Sequence, residues 1–476
     1  MDDTFDIIIV GGGIIGTMTT YCIVNSERER RGWQAETDGG GVAASLAFVC
    51  LSPMTSTSSK SAGLLAGRLA ESAGQRLACR RAEEERVRAR AARSVVALPG
   101  SVRGWGSTSN AHSPAEDEPP PRRAKRKAGA VHSLAAQQDG GSVSASAARA
   151  WLHAESRVIY ESLVPALAPS NDADATTVGL GWLHPPTVVS FRSTCSSTKD
   201  KVDLGQPVAG TADVLARDSA QLDVRSLLAA LAADMGAYTS LTVIENMAVV
   251  ELGEGGTRLV LESVGDGGGS GRRVLRAGRT VLATGAWTNG IRTDGSLRLP
   301  TISFVKAHAC HFQVSTETPP TVTFTDQSDG SLPRVDPEVY VRPGGAVLVS
   351  GCVEEDNDAP VPPEGPHTPA TATAGAHDRL AASVKSLVTD TLVDRQPANN
   401  LERDGCSVPR STCYLPASAD GMPIIGQLGD TALYLGLGHS CWGISEGAAT
   451  GRALAALVLD EPLPTNLSAL SPNRFA

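Results

Sequence analysis

Apolar residues fall along this chain in short, separated runs, and the period of each run predicts its element. Phe5–Val10 (FDIIIV) is a compact run rich in β-branched residues and predicts a strand. Gly11–Gly16 punctuate it, and Thr17–Asn25 then predicts the start of a helix. Leu46–Leu51 predicts a second, parallel strand that leads into a Ser/Thr-rich turn at 52–61 and a small-residue segment at 62–67. The spacing over Leu222–Gly236 predicts an amphipathic helix, followed by strands at 241–250 and 257–264. Gly265–Gly271 reads as a hairpin loop, and Val274–Thr284 returns as a strand ending in Ala283-Thr284-Gly285-Ala286. Alternation within 304–314 and within 339–353 predicts an antiparallel sheet, with the Pro-rich stretch 358–369 as a surface loop. The expected fold class is therefore α/β with an α+β second lobe.

Between these regions the pattern changes. Glu71–Arg93 is rich in Ala, Arg and Glu, which suits a solvated helix, and from about 101 to 149 periodicity is lost among Pro, Ser, Gly and charge. We expect 67–150 to be an insertion, largely disordered from about 101. Within it, Pro121–Lys127 (PRRAKRK) has the composition of a nuclear import signal, and equally of a solvated basic run.

Composition narrows the function classes. The 476 residues are 41% hydrophobic and 20% charged, enough to bury a large core. A net charge of −9 opposes nucleic-acid binding, which needs a basic face. No apolar stretch approaches a membrane span, and the first ten residues carry acid where a secretory signal carries base. The expectation is a soluble, cytoplasmic chain without integral membrane association. Nine scattered cysteines without a CxxC pair fit a reducing compartment and no zinc ribbon. Alternation also separates His311 from His308 and Cys310 onto opposite strand faces, which argues against a metal there.

Gly11-Gly12-Gly13-Ile14-Ile15-Gly16 satisfies GxGxxG directly after the first strand. Gly11 permits the turn, Gly13 lets main chain approach a pyrophosphate, and Gly16 lets helix and strand pack closely. The helix N-terminus can then hold the anion. This is the opening of a Rossmann-type dinucleotide site, and alone it does not choose between NAD and FAD.

Two further stretches bear on that choice: Thr280–Trp287 (TVLATGAW), a short strand and turn, and Gly438–Gly443 (GHSCWG). With the glycine loop they resemble the D-amino-acid-oxidase-like superfamily of FAD oxidoreductases, over about 5–66 and 206–460. Glycine oxidase and sarcosine oxidase belong to it, and the pattern is nearest to eukaryotic oxidoreductases of this type with no assigned substrate. The resemblance implies FAD as cofactor, a discontinuous FAD-binding domain (1–66, 206–300 and 411–465) and a substrate domain with an antiparallel sheet (151–205 and 301–410). It implies cofactor contacts from Gly11, Gly13, Ile14, Ile15, Gly16, from Ser59, Lys60, Ser61, Ala62 and Gly63, and from Thr284, Gly285 and Ala286. Val249 matches the position whose main chain meets adenine, and Asp420–Gly426 matches a "DG-P-IG" turn. Gly436, Gly438, His439, Ser440 and the helix after them match the element whose amides face the flavin's pyrimidine end, where a helix N-terminus favours the negative charge of reduced flavin.

The chain also departs from the pattern. The acidic residue expected after the second strand, where it binds the ribose, is matched by Ser52, with Glu36 and Asp38 as alternatives. The arginine that pairs with a substrate carboxylate in amino-acid oxidases is matched by Leu415, with Arg410 nearby as a substitute. Cys413 stands at the spacing of the cysteine that bonds covalently to flavin in sarcosine-oxidase relatives; a buried, unmodified thiol is the other reading. Lys306, His308, His439 and Trp442 are the side chains expected nearest the flavin. The resemblance thus implies oxidation of a small amine or amino-acid-like substrate by hydride transfer to flavin. The alternatives are a flavin-binding or flavin-depleted trafficking or scaffold protein, and an NAD-dependent dehydrogenase, which would leave the GHSCWG element unexplained.

Overall fold

The computed structural model describes residues 3–31, 45–49, 64–65, 143–167, 187–193, 212–216, 220–263, 271–314, 321–327, 337–342, 345–355, 373–387, 392–394 and 410–475. The chain divides into 1–75 with 142–476 and a second unit, 76–141, which lies outside the described residues.

The first sheet contains β1 (Asp3–Val10), β2 (Leu46–Val49), β7 (Leu241–Ile244), β8 (Met247–Gly253), β9 (Arg258–Ser263), β10 (Arg272–Leu282), β11 (Arg292–Thr293), β18 (Ile424–Gln427) and β19 (Leu433–Leu437). Its centre is parallel, in the order β19-β10-β1-β2-β7. β1 shows why an uninterrupted apolar run belongs there: Ile7 and Ile9 enter one apolar layer and Ile8 and Val10 the other, so both faces are covered. The long β10 pairs with β9 through its first half and with β19 through its second, which joins the antiparallel arm β8-β9-β10 to the parallel centre.

On the Ile7/Ile9 side lie α1 (Ile14–Arg31), α2 (Ala145–Ala166), α3 (Val224–Met235) and α5 (Gly443–Val458). α1 and α5 approach closely because α5 presents glycine. A Cβ on Gly451 would stand 2.7 Å from the Met18 backbone carbon, and one on Gly447 3.0 Å from Ile14.

The second sheet contains β4 (Thr187–Ser193), β5 (Ala212–Ala216), β12 (Ser303–Val314), β13 (Thr321–Gln327), β14 (Glu338–Val341), β15 (Ala346–Glu355), β16 (Leu392–Asp394) and β17 (Arg410–Ala417). All of its pairs are antiparallel except β13 with β4. α4 (Ala376–Leu387) packs on one face against Cys310, Phe312, Val339 and Val347. Strand alternation puts Ala307, Ala309, Ser350, Glu338, Tyr340, Ser411, Cys413 and Leu415 on the other face. A two-stranded ribbon of β3 (Leu64–Leu65) and β6 (Ala220–Gln221) completes the strands.

Two expectations change. α2 begins at Ala145, capped by the Ser144 hydroxyl, so the insertion ends several residues before 150. α2 also packs on α5 in the first sheet's helical layer, where Leu152, Tyr160 and Leu163 are buried, although it falls within the stretch 151–205 assigned to the substrate domain. Small residues alternating with Leu152 and Tyr160 carry this helix, and the Ser/Gly-rich flank before it hides the start. Among the described residues no helix is long and apolar enough to cross a membrane.

Candidate cofactor and active site

The glycine loop lies where three strands end together. Gly11 has φ +127°, donates its N–H to the Val49 carbonyl (2.9 Å), and faces Ala283, whose N–H donates to the Val10 carbonyl (2.8 Å). A Cβ on Gly11 would sit 2.2 Å from the Ala283 carbonyl oxygen, and one on Gly16 would sit 1.9 Å from the Gly11 carbonyl oxygen. Neither position admits a side chain. Thr17 N–H donates to the Gly13 carbonyl, so α1 starts directly at the loop and points its N-terminal end there. The side chains of Ile14 and Ile15 turn away to pack against Gly447 and Gly436 of the C-terminal element.

Thr284, Gly285 and Ala286 follow at the end of β10. Gly285 has φ +58°, and the Thr288 hydroxyl donates to its carbonyl (2.8 Å). Ala286 and Trp287 then meet Phe304 of β12 and Tyr414 of β17, which brings the two sheets into contact beside the loop. Val249 is buried in the apolar layer with Val10, Val49 and Ile244. Ser52, Ser59, Lys60, Ser61, Ala62, Gly63, Glu36 and Asp38 lie outside the described residues.

The turn between β19 and α5 forms the next part of the site. Gly438 has φ +74°, and a Cβ there would stand 3.1 Å from the Ser418 nitrogen. Ser440, with φ +52°, holds a conformation that non-glycine residues seldom adopt. His439 is buried and shares a hydrogen bond with the Thr450 hydroxyl (Nε2 to Oγ1, 3.1 Å). Burial pushes its pKa down to about 4, so the ring is neutral at pH 7. Gly436 is required by packing, because a Cβ would meet Leu454 at 2.7 Å and Ile15 at 2.8 Å.

β17 carries Cys413 and Leu415 on the sheet face away from α4, with Cys413 half-buried and outside any disulfide. That strand reaches the turn through a bridge from Ala417 to His439, and Tyr340, on the same face, lies within electrostatic reach of Cys441. Arg410 points the other way and pairs with Asp378 of α4 at 2.5 Å. It is not placed to replace the missing arginine at Leu415, because five positions along a strand reverse the face.

His308 is likewise on the α4 side. Its Nδ1 is 2.8 Å from the Cys352 carbonyl, its Nε2 accepts from Thr373 N–H (3.2 Å), and its ring stacks edge-on with His377. These bonds hold a neutral ring with the proton on Nδ1, occupied within the fold rather than offered to a cofactor. Lys306 is buried, with Nζ 5.4 Å above the Tyr414 ring.

Trp442 leads to residues that the sequence reading missed. Arg149 of α2 lies over its ring (5.5 Å to the centroid) and His153 meets it edge-on (5.0 Å). Both contact the fully buried Glu446, with Arg149 Nε 2.6 Å and His153 Nε2 3.3 Å from Oε1. Burial alone would push the Glu446 carboxyl up, but Arg149 and His153 outweigh it and hold it below the ordinary carboxylate value. A helix-capping serine followed by apolar positions at 148, 152 and 160 is the signal that would have placed Arg149 and His153 on an ordered face.

A dinucleotide site needs a tight glycine turn packed closely between strand and helix N-terminus, and Gly11 and Gly16 provide that packing, which leaves the loop main chain at the start of α1. The residues present therefore fit FAD. Solved structures agree on the fold. Glycine oxidase from Geobacillus kaustophilus superposes with a TM-score of 0.59 at 16% identity, covering 99% of each chain. Iminodiacetate oxidase from Chelativorans superposes with a TM-score of 0.55 at 14% identity, covering 98% of each. In sequence, a Schizosaccharomyces pombe protein named as a candidate oxidoreductase is 29% identical over 205 residues, which are 42% of this chain and 46% of that one. The match thus spans under half the length of that relative. The family described as DAO, FAD dependent oxidoreductase, matches residues 194–457, more than half of this chain. The chain belongs to that family, the FAD dependent oxidoreductases of the DAO type.

Proposed function

We propose that this oxidoreductase acts on a carbon–nitrogen bond of a small amine whose recognition does not depend on a carboxylate held by β17. The observation that carries the reading is that Leu415 lies on the face of that strand away from α4, while Arg410 turns to Asp378 of α4 on the opposite face. Leucine cannot form the charge-assisted fork that holds a carboxylate. The fold likeness to glycine oxidase and iminodiacetate oxidase, each named for an amine-bearing substrate, supports the amine class.

In this reading Gly11, Gly13, Gly16 and the first amides of α1 hold the pyrophosphate of FAD, with Thr284–Ala286 and the 438–440 turn along its length. When bound, FAD supplies the acceptor for a hydride leaving the carbon beside the nitrogen. The chain's own residues position and enclose the substrate. Leu415, Ala307 and Ala309 give that sheet face apolar positions beside the polar Tyr340, Ser350 and Ser411, and neutral His439 adds no charge at the turn. We assign 1–66, 206–300 and 411–465, apart from β5 and β17, to the cofactor half, and 301–410 with 151–205, apart from α2, to the substrate half, which also takes β5 and β17 because they pair within the second sheet.

Anaerobic mixing tests this directly. Primary or secondary amines should bleach the oxidised flavin band, and the rate should not fall when Arg410 is replaced by Ala. Rapid bleaching by ordinary α-amino acids that Arg410→Ala abolishes would reverse the substrate assignment. Acid precipitation of the same sample reads Cys413: a pellet yellow in wild type and colourless in Cys413→Ala shows a covalent bond, and a colourless wild-type pellet shows a free thiol.

A further inference from the structure

Two turns of the site, 418–423 and 439–443, meet beside the Ala417–His439 bridge, and one arginine from α2 touches both. Arg149 donates from Nε to Glu446 in the first turn of α5 (2.6 Å) and from Nη1 to the Gly421 carbonyl (3.2 Å), while its plane covers the Trp442 ring. Gly421 has φ +73°, and its turn is closed by Met422 N–H donating to Asp420 (3.1 Å). Arg474 holds the same turn independently. It donates to both Asp420 carboxylate oxygens (2.8 and 3.1 Å) and to the Met422 carbonyl (2.9 Å), and spends its remaining Nη1 donor on the Leu470 and Ser471 carbonyls. The 418–423 turn is therefore fixed by Arg474, and Arg149 joins it to the 439–443 turn.

We infer that Arg149 is a positioning residue for the cofactor: it locks these two turns together and so sets how tightly the chain holds FAD. The inference rests on the placement of FAD against the 438–440 turn proposed above. Neutralising Glu446 needs only a nearby cation. Serving an acid, a carbonyl and an indole face at once needs the planar, forked guanidinium, which a lysine ammonium does not reproduce. Glu446 is fully buried, so its own requirement for a cation must be separated from the bridging role.

Two full-length variants make that separation. Arg149→Lys keeps a cation beside Glu446 and loses the bridge. Arg149→Met with Glu446→Met removes both charges, so no unpaired carboxylate stays buried. Each is measured for apoprotein thermal midpoint, FAD dissociation constant by flavin fluorescence, and the visible circular dichroism of bound flavin. Both should fold near the wild-type midpoint, yet bind FAD about tenfold more weakly, about 1.4 kcal/mol, with altered flavin dichroism. Wild-type affinity and dichroism in either folded variant would overturn the inference and leave Arg149 as a charge neutraliser. If Arg149→Lys does not fold, the double variant decides alone. If wild type itself takes up no FAD, the cofactor placement fails and this inference falls with it, an outcome distinct from equal binding by all three proteins.

Discussion

Replacing Gly16 by Ala puts a methyl group in place of a hydrogen, and the fold has no room for it. The new Cβ would lie 1.9 Å from the Gly11 carbonyl oxygen and 3.0 Å from its carbon, whereas ordinary contact starts near 3.4 Å. The carbonyl must therefore retreat by about 1.5 Å (3.4 minus 1.9). It belongs to backbone tied to Val49 by the Gly11 N–H, so the loop moves with it. Overpacking of this kind costs up to about 3 kcal/mol. The same movement reshapes the anion cradle, so FAD should bind about 100-fold more weakly, near 2.7 kcal/mol. Gly255→Ala is the control: that residue, unlike Gly16, has positive φ (+66°), and nothing lies within 4 Å of its Cβ position. It should cost about 1 to 2 kcal/mol from backbone conformation alone and leave FAD affinity unchanged. Denaturant unfolding of the apoproteins and fluorescence titration with FAD give both numbers. Wild-type affinity in Gly16→Ala, or an equal loss in Gly255→Ala, would refute the reasoning.

Acid should weaken the fold through His439. Burial depresses its folded pKa to about 4 from 6.5, so the stability it contributes is complete above 6.5 and is lost as pH falls from there toward 4. The gap of about 2.5 units corresponds to roughly 3 kcal/mol, which His439→Asn should remove from the pH profile of unfolding; parallel profiles would contradict it. Deleting 101–141 should leave FAD bound, because that stretch has no apolar periodicity to join a core. Extending the deletion to 149 removes the Ser144 cap and Arg149, and should cost both stability and FAD, measured by the same two assays.

The parts of the fold legible in the sequence are those where one local rule dominates. FDIIIV followed by glycines gave strand, loop and helix correctly, because β-branched residues buried on two faces and glycines with forbidden Cβ positions admit few other structures. The strand at 274–284 and the helix at 222–236 were likewise found to within a few residues. The site was legible along the main chain and obscure in its side chains. His308 and Lys306 share a strand with site residues, and only the paired register shows that His308 faces α4. Arg410 and Leu415 look adjacent in sequence, yet the pleat sends them to opposite faces. Arg149 and Glu446 are 297 residues apart, and no local pattern predicts that a half-buried arginine will meet a fully buried carboxylate.

Every assignment at the site follows from FAD occupying the glycine loop. The direct measurement is the visible absorption spectrum of the purified chain, before and after incubation with FAD and removal of the excess. The structure predicts the bands of oxidised flavin in wild type, at about one flavin per chain, and their loss in Gly16→Ala. A wild-type protein that folds, stays colourless and takes up no FAD would contradict the central claim.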